Sequence, residues 1–177
     1  MIDLLDTEGD DLYFLDPLSE EIDSLMQDAA GRYETGDAEL PLLRAYALSN
    51  RHLTVLVGLY RYYYYQHQLA EAVIIAEQAM EISGQRLNLE QNWPALNLQN
   101  FSQKATESQL IAMARFYLMA LKGWAYLKLR LNQIDEGVLA LKKILELDPK
   151  DRVGAKALLD TVEEYTAMPE ANVIADQ

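Results

Sequence analysis

The sequence predicts an all-α fold of helix–turn–helix repeats, stacked side by side and closed by a C-terminal capping helix. Three observations predict it. Apolar residues recur at i, i+3, i+4 and i+7 through RHLTVLVGLYRYYYYQ, LAEAVIIAEQAMEIS, IAMARFYLMALKGWAYLKLRL and IDEGVLALKKILEL. No stretch alternates with period two for long enough to argue a sheet. The chain also resembles itself at two fixed offsets, the mark of a repeat architecture. At 34 residues, Ala38, Leu42, Ala45, Leu48 and Ser49 align with Ala72, Ala76, Ala79, Ile82 and Ser83. At 65 residues, Leu53, Leu56, Gly58, Gln68, Glu71, Val73 and Glu81 meet identical residues at Leu118, Leu121, Gly123, Gln133, Glu136, Val138 and Glu146.

The elements follow in order. Residues 1–17 form an acidic arm. Residues 18–49 form the first repeat, opened near Ser19 and Glu21 and broken at Gly36-Asp37. Pro41 is tolerable in the first turns of the second helix of that pair. Residues 51–84 form the second repeat, ending at Ser83-Gly84. The two offsets differ by about 31 residues, an insertion between the second and third units, and within it residues 85–104 read as an irregular, Asn-rich connection. Residues 105–148 form the third repeat, closed by Asp148-Pro149. Residues 151–167 form the helix that caps the stack, so the repeat domain spans 18–167. Residues 168–177 are a frayed tail.

Composition excludes several classes. Cysteine is absent, which removes disulfide scaffolds, zinc–thiolate sites and cysteine catalysis. No apolar run reaches the roughly 18–20 residues needed to cross a bilayer. The start, MIDLLDTEGDD, lacks the basic opening of a secretory signal, so a cytoplasmic protein is expected. The formal net charge is −13, and almost all of the excess lies in residues 1–40, where thirteen acids face one base, Arg32. That balance argues against nucleic acid and anionic membranes as partners.

A 34-residue offset, a helix–turn–helix unit and small residues at the crossing points resemble the tetratricopeptide repeat (TPR) family. The residues that carry the resemblance are Gly58 and Gly123 on first helices, Ala72 with Ala79 and Gly137 with Ile144 on second helices, and the closing LELDP of 145–149. The resemblance covers roughly residues 19–149 and implies a short TPR-like α-solenoid. It also implies peptide binding on an inner concave surface lined by the first helices.

The first helices carry two apolar stripes where burial on one side needs one. In 51–66, Leu53, Leu56, Val57, Tyr60 and Tyr64 form one sector, and Val55, Leu59 and Tyr62 form another. In 116–131, Leu118, Leu121, Ala125 and Leu129 face Ala120, Trp124 and Leu127 in the same way. The second stripe has two destinations, packing on neighbouring repeats or lining an open groove. Carried over from Gly58 and Gly123, the resemblance places the groove at His52, Val55, Leu59, Tyr62 and Tyr63, then at Tyr117, Ala120, Trp124, Leu127 and Lys128. An exposed apolar strip of that size marks a binding site or an aggregation liability, so something must cover it, in trans or in cis.

Tyr60 and Tyr64 read as core, while Tyr63 and Tyr65 align with Lys128 and Arg130 and read as wet. Arg61, Tyr65, Trp93 and Arg130 are candidates for a rim or lid. The segment Leu12–Leu15 is apolar inside an acidic frame. It either folds over the groove, its acids meeting Arg44, Arg51 or Arg61, or begins the packing of the first helix.

No catalytic constellation is visible. His52 and His67 lack acidic companions at metal-ligand spacing, no phosphate loop occurs, and the carboxylate pairs lie at helix starts or exposed faces. No cofactor, no metal and no enzymatic activity are expected. The expected function is a protein-interaction module, an adaptor or small chaperone that binds a partner's peptide or helix. The alternatives are a homodimer built through the apolar stripe, or an assembly factor for a larger enzyme complex.

Overall fold

A computed structural model describes residues 16–33, 35–89, 92–104 and 108–167. The described residues are all-helical. In chain order the helices are α1 (Glu20–Gly31), α2 (Glu39–Leu48), α3 (Leu53–Tyr65), α4 (Leu69–Arg86), α5 (Leu98–Lys104), α6 (Ser108–Arg130), α7 (Ile134–Leu147) and α8 (Ala155–Ala167). A 3-10 turn at Trp93–Ala95 precedes α5. Residues 1–15 of the acidic arm and the tail at 168–177 lie outside the described residues.

Local chemistry fixes the ends. Ser19 caps α1 by accepting from the Ile22 amide, and Glu20, Glu21 and Asp23 sit in the first turn, where the helix dipole favours anions. The turns that join α3 to α4 and α6 to α7 are the same device, 65 residues apart. His67 and Asn132 stand at φ 59° and 61°, the left-handed position that follows many helices. Gln68 N–H donates to the Tyr63 carbonyl at 2.9 Å, and Gln133 N–H donates to the Lys128 carbonyl at 2.8 Å. His67 is therefore part of a helix stop.

Each helix packs on the next, except that α4 packs directly on α6, while α5 and the 3-10 turn lie against α7. One large core runs from Ala29 of α1 through to α8, and a small satellite joins Ile22, Ala45 and Val55. Close approach relies on small residues. A Cβ on Gly137 would lie 2.6 Å from Leu129 Cδ2 and 3.0 Å from the Ala125 carbonyl, so α7 meets α6 where no side chain fits.

Two expectations about the chain's course need correction. Ser83-Gly84 does not end a helix: α4 continues to Arg86, Ser83 stays inside it with its hydroxyl on the Ala79 carbonyl at 2.7 Å, and the left-handed residue that follows the helix is Asn88 at φ 52°. The connection at 85–104 is not irregular throughout, since it holds the last turn of α4, the 3-10 turn and α5. Leu96 and Phe101 from this stretch enter the main core.

Candidate functional site

The expected open apolar strip is largely closed. Leu59 is 1% exposed, Tyr62 5%, Trp124 5% and Leu127 0%. Val55, Ala120 and Tyr117 are buried as well. The second stripes of α3 and α6 meet neighbouring helices and do not form an open furrow: Val55 of α3 packs with Ile22 of α1 and Ala45 of α2, and α6 packs directly on α4. Tyr62 also donates its hydroxyl to the Gly36 carbonyl at 3.2 Å and sets its ring edge against Tyr33.

Several expected groove and rim residues have other work. His52 caps α3, accepting the Thr54 amide on Nδ1, and its Nε2 lies 2.8 Å from the Asp16 carbonyl oxygen. Tyr63 is half-buried and Tyr65 is exposed. Tyr60 is buried, whereas Tyr64 is half-buried, stacked on Tyr60 and packed near Tyr126. Arg130 donates to the Tyr126 hydroxyl at 3.0 Å on the protein surface. Arg61 lines a separate cavity of about 390 Å³ with Tyr33, Gly58 and Tyr65. The arm's last described acid, Asp16, meets Arg86 at 2.7 Å, and not Arg44, Arg51 or Arg61. Leu12–Leu15 fall outside the described residues.

A cavity does remain where α4, α6 and the connection converge. It holds about 550 Å³. Tyr117 and Trp124 of α6 and Met80 of α4 supply apolar wall, and Leu89, Trp93 and Pro94 reach it from the connection. Trp93 packs on Trp124 with ring centroids 5.6 Å apart at 57°. Lys143 of α7 donates to the Leu96 carbonyl at 2.8 Å and holds the far end of that segment down. Glu77, Glu81 and Gln85 of α4 form the polar side, one helical turn apart. The covering of apolar surface is thus partly in cis, by the connection.

The electrostatics follow from this packing. Trp124 Nε1 donates to Glu77 Oε1 at 2.9 Å, and Lys128 Nζ sits 4.9 Å from the centroid of the Trp124 ring while paired with Glu136 at 3.2 Å. Gln85 donates to Glu81 at 3.0 Å and accepts from Arg51. Burial pushes the Tyr117 phenol up to about 12. Gly84 makes room for that ring, since a Cβ there would lie 3.3 Å from Tyr117 Cε2.

Of the residues expected to bind, Tyr117, Trp124 and Trp93 come together here, joined by Lys128 behind Trp124. Sequence reasoning missed Glu77, Met80, Glu81, Gly84 and Gln85. Their 77-80/81-84/85 spacing on α4 was a legible signal, a mixed polar face turned toward an insertion. Among the described residues, no group of three or more His, Asp or Glu is placed to hold a metal ion, and no helix is long and apolar enough to cross a membrane.

Comparison with known proteins gives one informative relative. An uncharacterized 19.8 kDa protein in the nifW 5′ region of Azotobacter chroococcum mcd 1 is 45% identical over 166 residues, covering 94% of this chain and 92% of the relative. No family model matches the chain, and no solved structure matches it.

Proposed function

We propose that this chain, which belongs to one family with the 19.8 kDa protein of the Azotobacter chroococcum nifW 5′ region, is a non-enzymatic, TPR-like interaction module of the cytoplasm. It binds a segment of a partner protein in the cavity between α4 and α6. The observation that carries this reading is that both tryptophans and Tyr117 converge on one cavity of about 550 Å³, a size that suits an inserted side chain and its neighbours. Aromatic anchors of this kind dominate binding energy at interfaces. The identical turns at His67 and Asn132, and the tight approach at Gly137, favour the TPR-like reading of the helix pairs. The relative's place in the nifW 5′ region makes the nifW product the first partner to try.

The test uses the full chain. Purified nifW product should co-elute with wild type and shift its tryptophan emission. The variant Trp93→Ala with Glu81→Lys should lose both effects while keeping its helical content. Equal co-elution of that variant would remove the cavity from the interface.

Self-association is a second reading, and a separate observation favours it. Leu40, Ile74 and Leu139 occupy one position of the repeat, at offsets of 34 and 65, and are 56%, 62% and 55% exposed. We read them as one aliphatic ridge on the second helices α2, α4 and α7. A homodimer through this ridge predicts concentration-dependent sedimentation that Ile74→Lys abolishes. A monomer at all concentrations would end this reading.

A further inference from the structure

The cavity between α4 and α6 has a one-sided chemistry. Among the described residues that line it, the charged ones are two carboxylates, Glu77 and Glu81, while Lys128 and Arg51 reach the lining only through Trp124 and Gln85. They stand at i, i+4 on α4, where like charges repel and weaken a helix by a few tenths of a kcal/mol. A cation placed between them relieves that repulsion. The rest of the wall is π-surface and thioether, from Trp93, Tyr117, Trp124 and Met80. Aromatic faces attract cations, best when water is excluded. The molecule already uses this attraction on one of these rings, with Lys128 Nζ 4.9 Å from the Trp124 centroid.

The two carboxylates are held ready. Glu77 accepts from the Trp124 indole and Glu81 from Gln85, each on Oε1. A carboxylate offers about four acceptor positions, so both retain capacity toward the cavity. A guanidinium fits this arrangement better than an ammonium, because it is planar, stacks on aromatic faces and carries five donors in a fixed fork. The chain's own arm does not supply the cation: residues 1–15 carry five acids and no base, and the adjoining Asp16 pairs with Arg86.

We infer that this cavity receives an arginine side chain from a basic segment of the partner, stacked against Trp93 or Tyr117 and bridged to Glu77 and Glu81. The inference rests on the interaction-module reading and gives it a ligand chemistry.

The experiment exploits the fact that both tryptophans of the chain border the cavity, so tryptophan emission reports on it alone. The full chain is titrated with three capped tripeptides: Leu-Arg-Leu, its neutral citrulline counterpart, and Leu-Glu-Leu. Leu-Arg-Leu should give a saturable emission change, weakened about tenfold by Glu77→Gln with Glu81→Gln and weakened again by added salt. The glutamine at 77 keeps an acceptor for the Trp124 indole, so the wall survives, which near-native circular dichroism would verify. The other two tripeptides should bind at least about tenfold more weakly. Equal binding of the arginine and citrulline peptides overturns the cation preference and leaves the peptide-binding reading standing. Preferential binding of Leu-Glu-Leu overturns it in the opposite sense. Binding of none of the three removes this cavity as a peptide site and overturns both readings together.

Discussion

Trp93 and Trp124, the two tryptophans of the chain, lie with ring centroids 5.6 Å apart, so the segment between α4 and α6 is fastened onto α6 by aromatic packing. The same pair borders the candidate binding cavity.

Truncating Trp93 should therefore do two things. Trp93→Ala should lower stability by about 1–2 kcal/mol, from lost aromatic packing and area. It should also shift the emission of Trp124 to the red as water reaches the indole. Trp93→Phe should recover most of the stability. Urea denaturation and emission spectra measure both, and an unchanged Trp124 spectrum would count against the packing described.

Three glycines should rank by what a methyl group meets. At Gly137 it meets the body of Leu129 and the Ala125 backbone, so overpacking of about 1–3 kcal/mol outweighs the roughly 1 kcal/mol gained in helix propensity. At Gly58 it meets Met26 Cε at 2.7 Å, the movable end of a flexible chain, and Gly58→Ala should be near neutral. At Gly31 it meets nothing within 4 Å, and Gly31→Ala should stabilise by up to about 1 kcal/mol. Denaturation midpoints of the three alanine variants test the order.

Alkaline pH should weaken the fold between about pH 10 and 12. Burial raises the Tyr117 phenol to about 12, so above pH 10 the unfolded chain ionises while the folded chain keeps its proton. The contribution is fully present below pH 10 and is lost as pH climbs through 12. Two pKa units correspond to something on the order of 2–3 kcal/mol for this buried ring. Tyr117→Phe should flatten the slope of stability against pH in that window. Ultraviolet titration of wild type should show tyrosines that ionise late, with Tyr64, also raised to about 12 by burial first, among them.

The start of α8 depends on Asp151. Its Oδ1 accepts the amides of Ala155 and Lys156 at 2.6 and 3.2 Å, and its φ of 49° lies in the left-handed region. Asp151→Ala should cost about 1–2 kcal/mol, from the lost cap and the strained backbone. Asp151→Asn should be close to neutral, because asparagine both caps and tolerates that φ. Thermal melts distinguish them.

Much of this was legible in the chain. The 3.6-residue spacing in RHLTVLVGLYRYYYYQ and IDEGVLALKKILEL gave α3 and α7 to within a few residues, because one buried face forces that period. The 65-residue offset aligned Gln68 with Gln133, and the residues just before them, His67 and Asn132, take the same left-handed turn. Gly84 misled as a helix end, since a glycine inside a helix and one just past it look alike in one dimension. The connection looked irregular because a seven-residue helix such as α5 is too short to display a period.

By itself the sequence determined that this chain is helical, where the helix pairs turn, and that α3 and α6 carry more apolar surface than one partner helix covers. Only the tertiary structure decided what covers it. Leu59, Tyr62 and Leu127 are sealed by neighbouring helices, while Trp93, Tyr117 and Trp124 keep a cavity between them. The physical reason is that hydrophobic burial is non-directional: a stripe demands removal from water without naming the surface that removes it. That choice was made when the connection let α4 meet α6 directly and laid Trp93 over the gap.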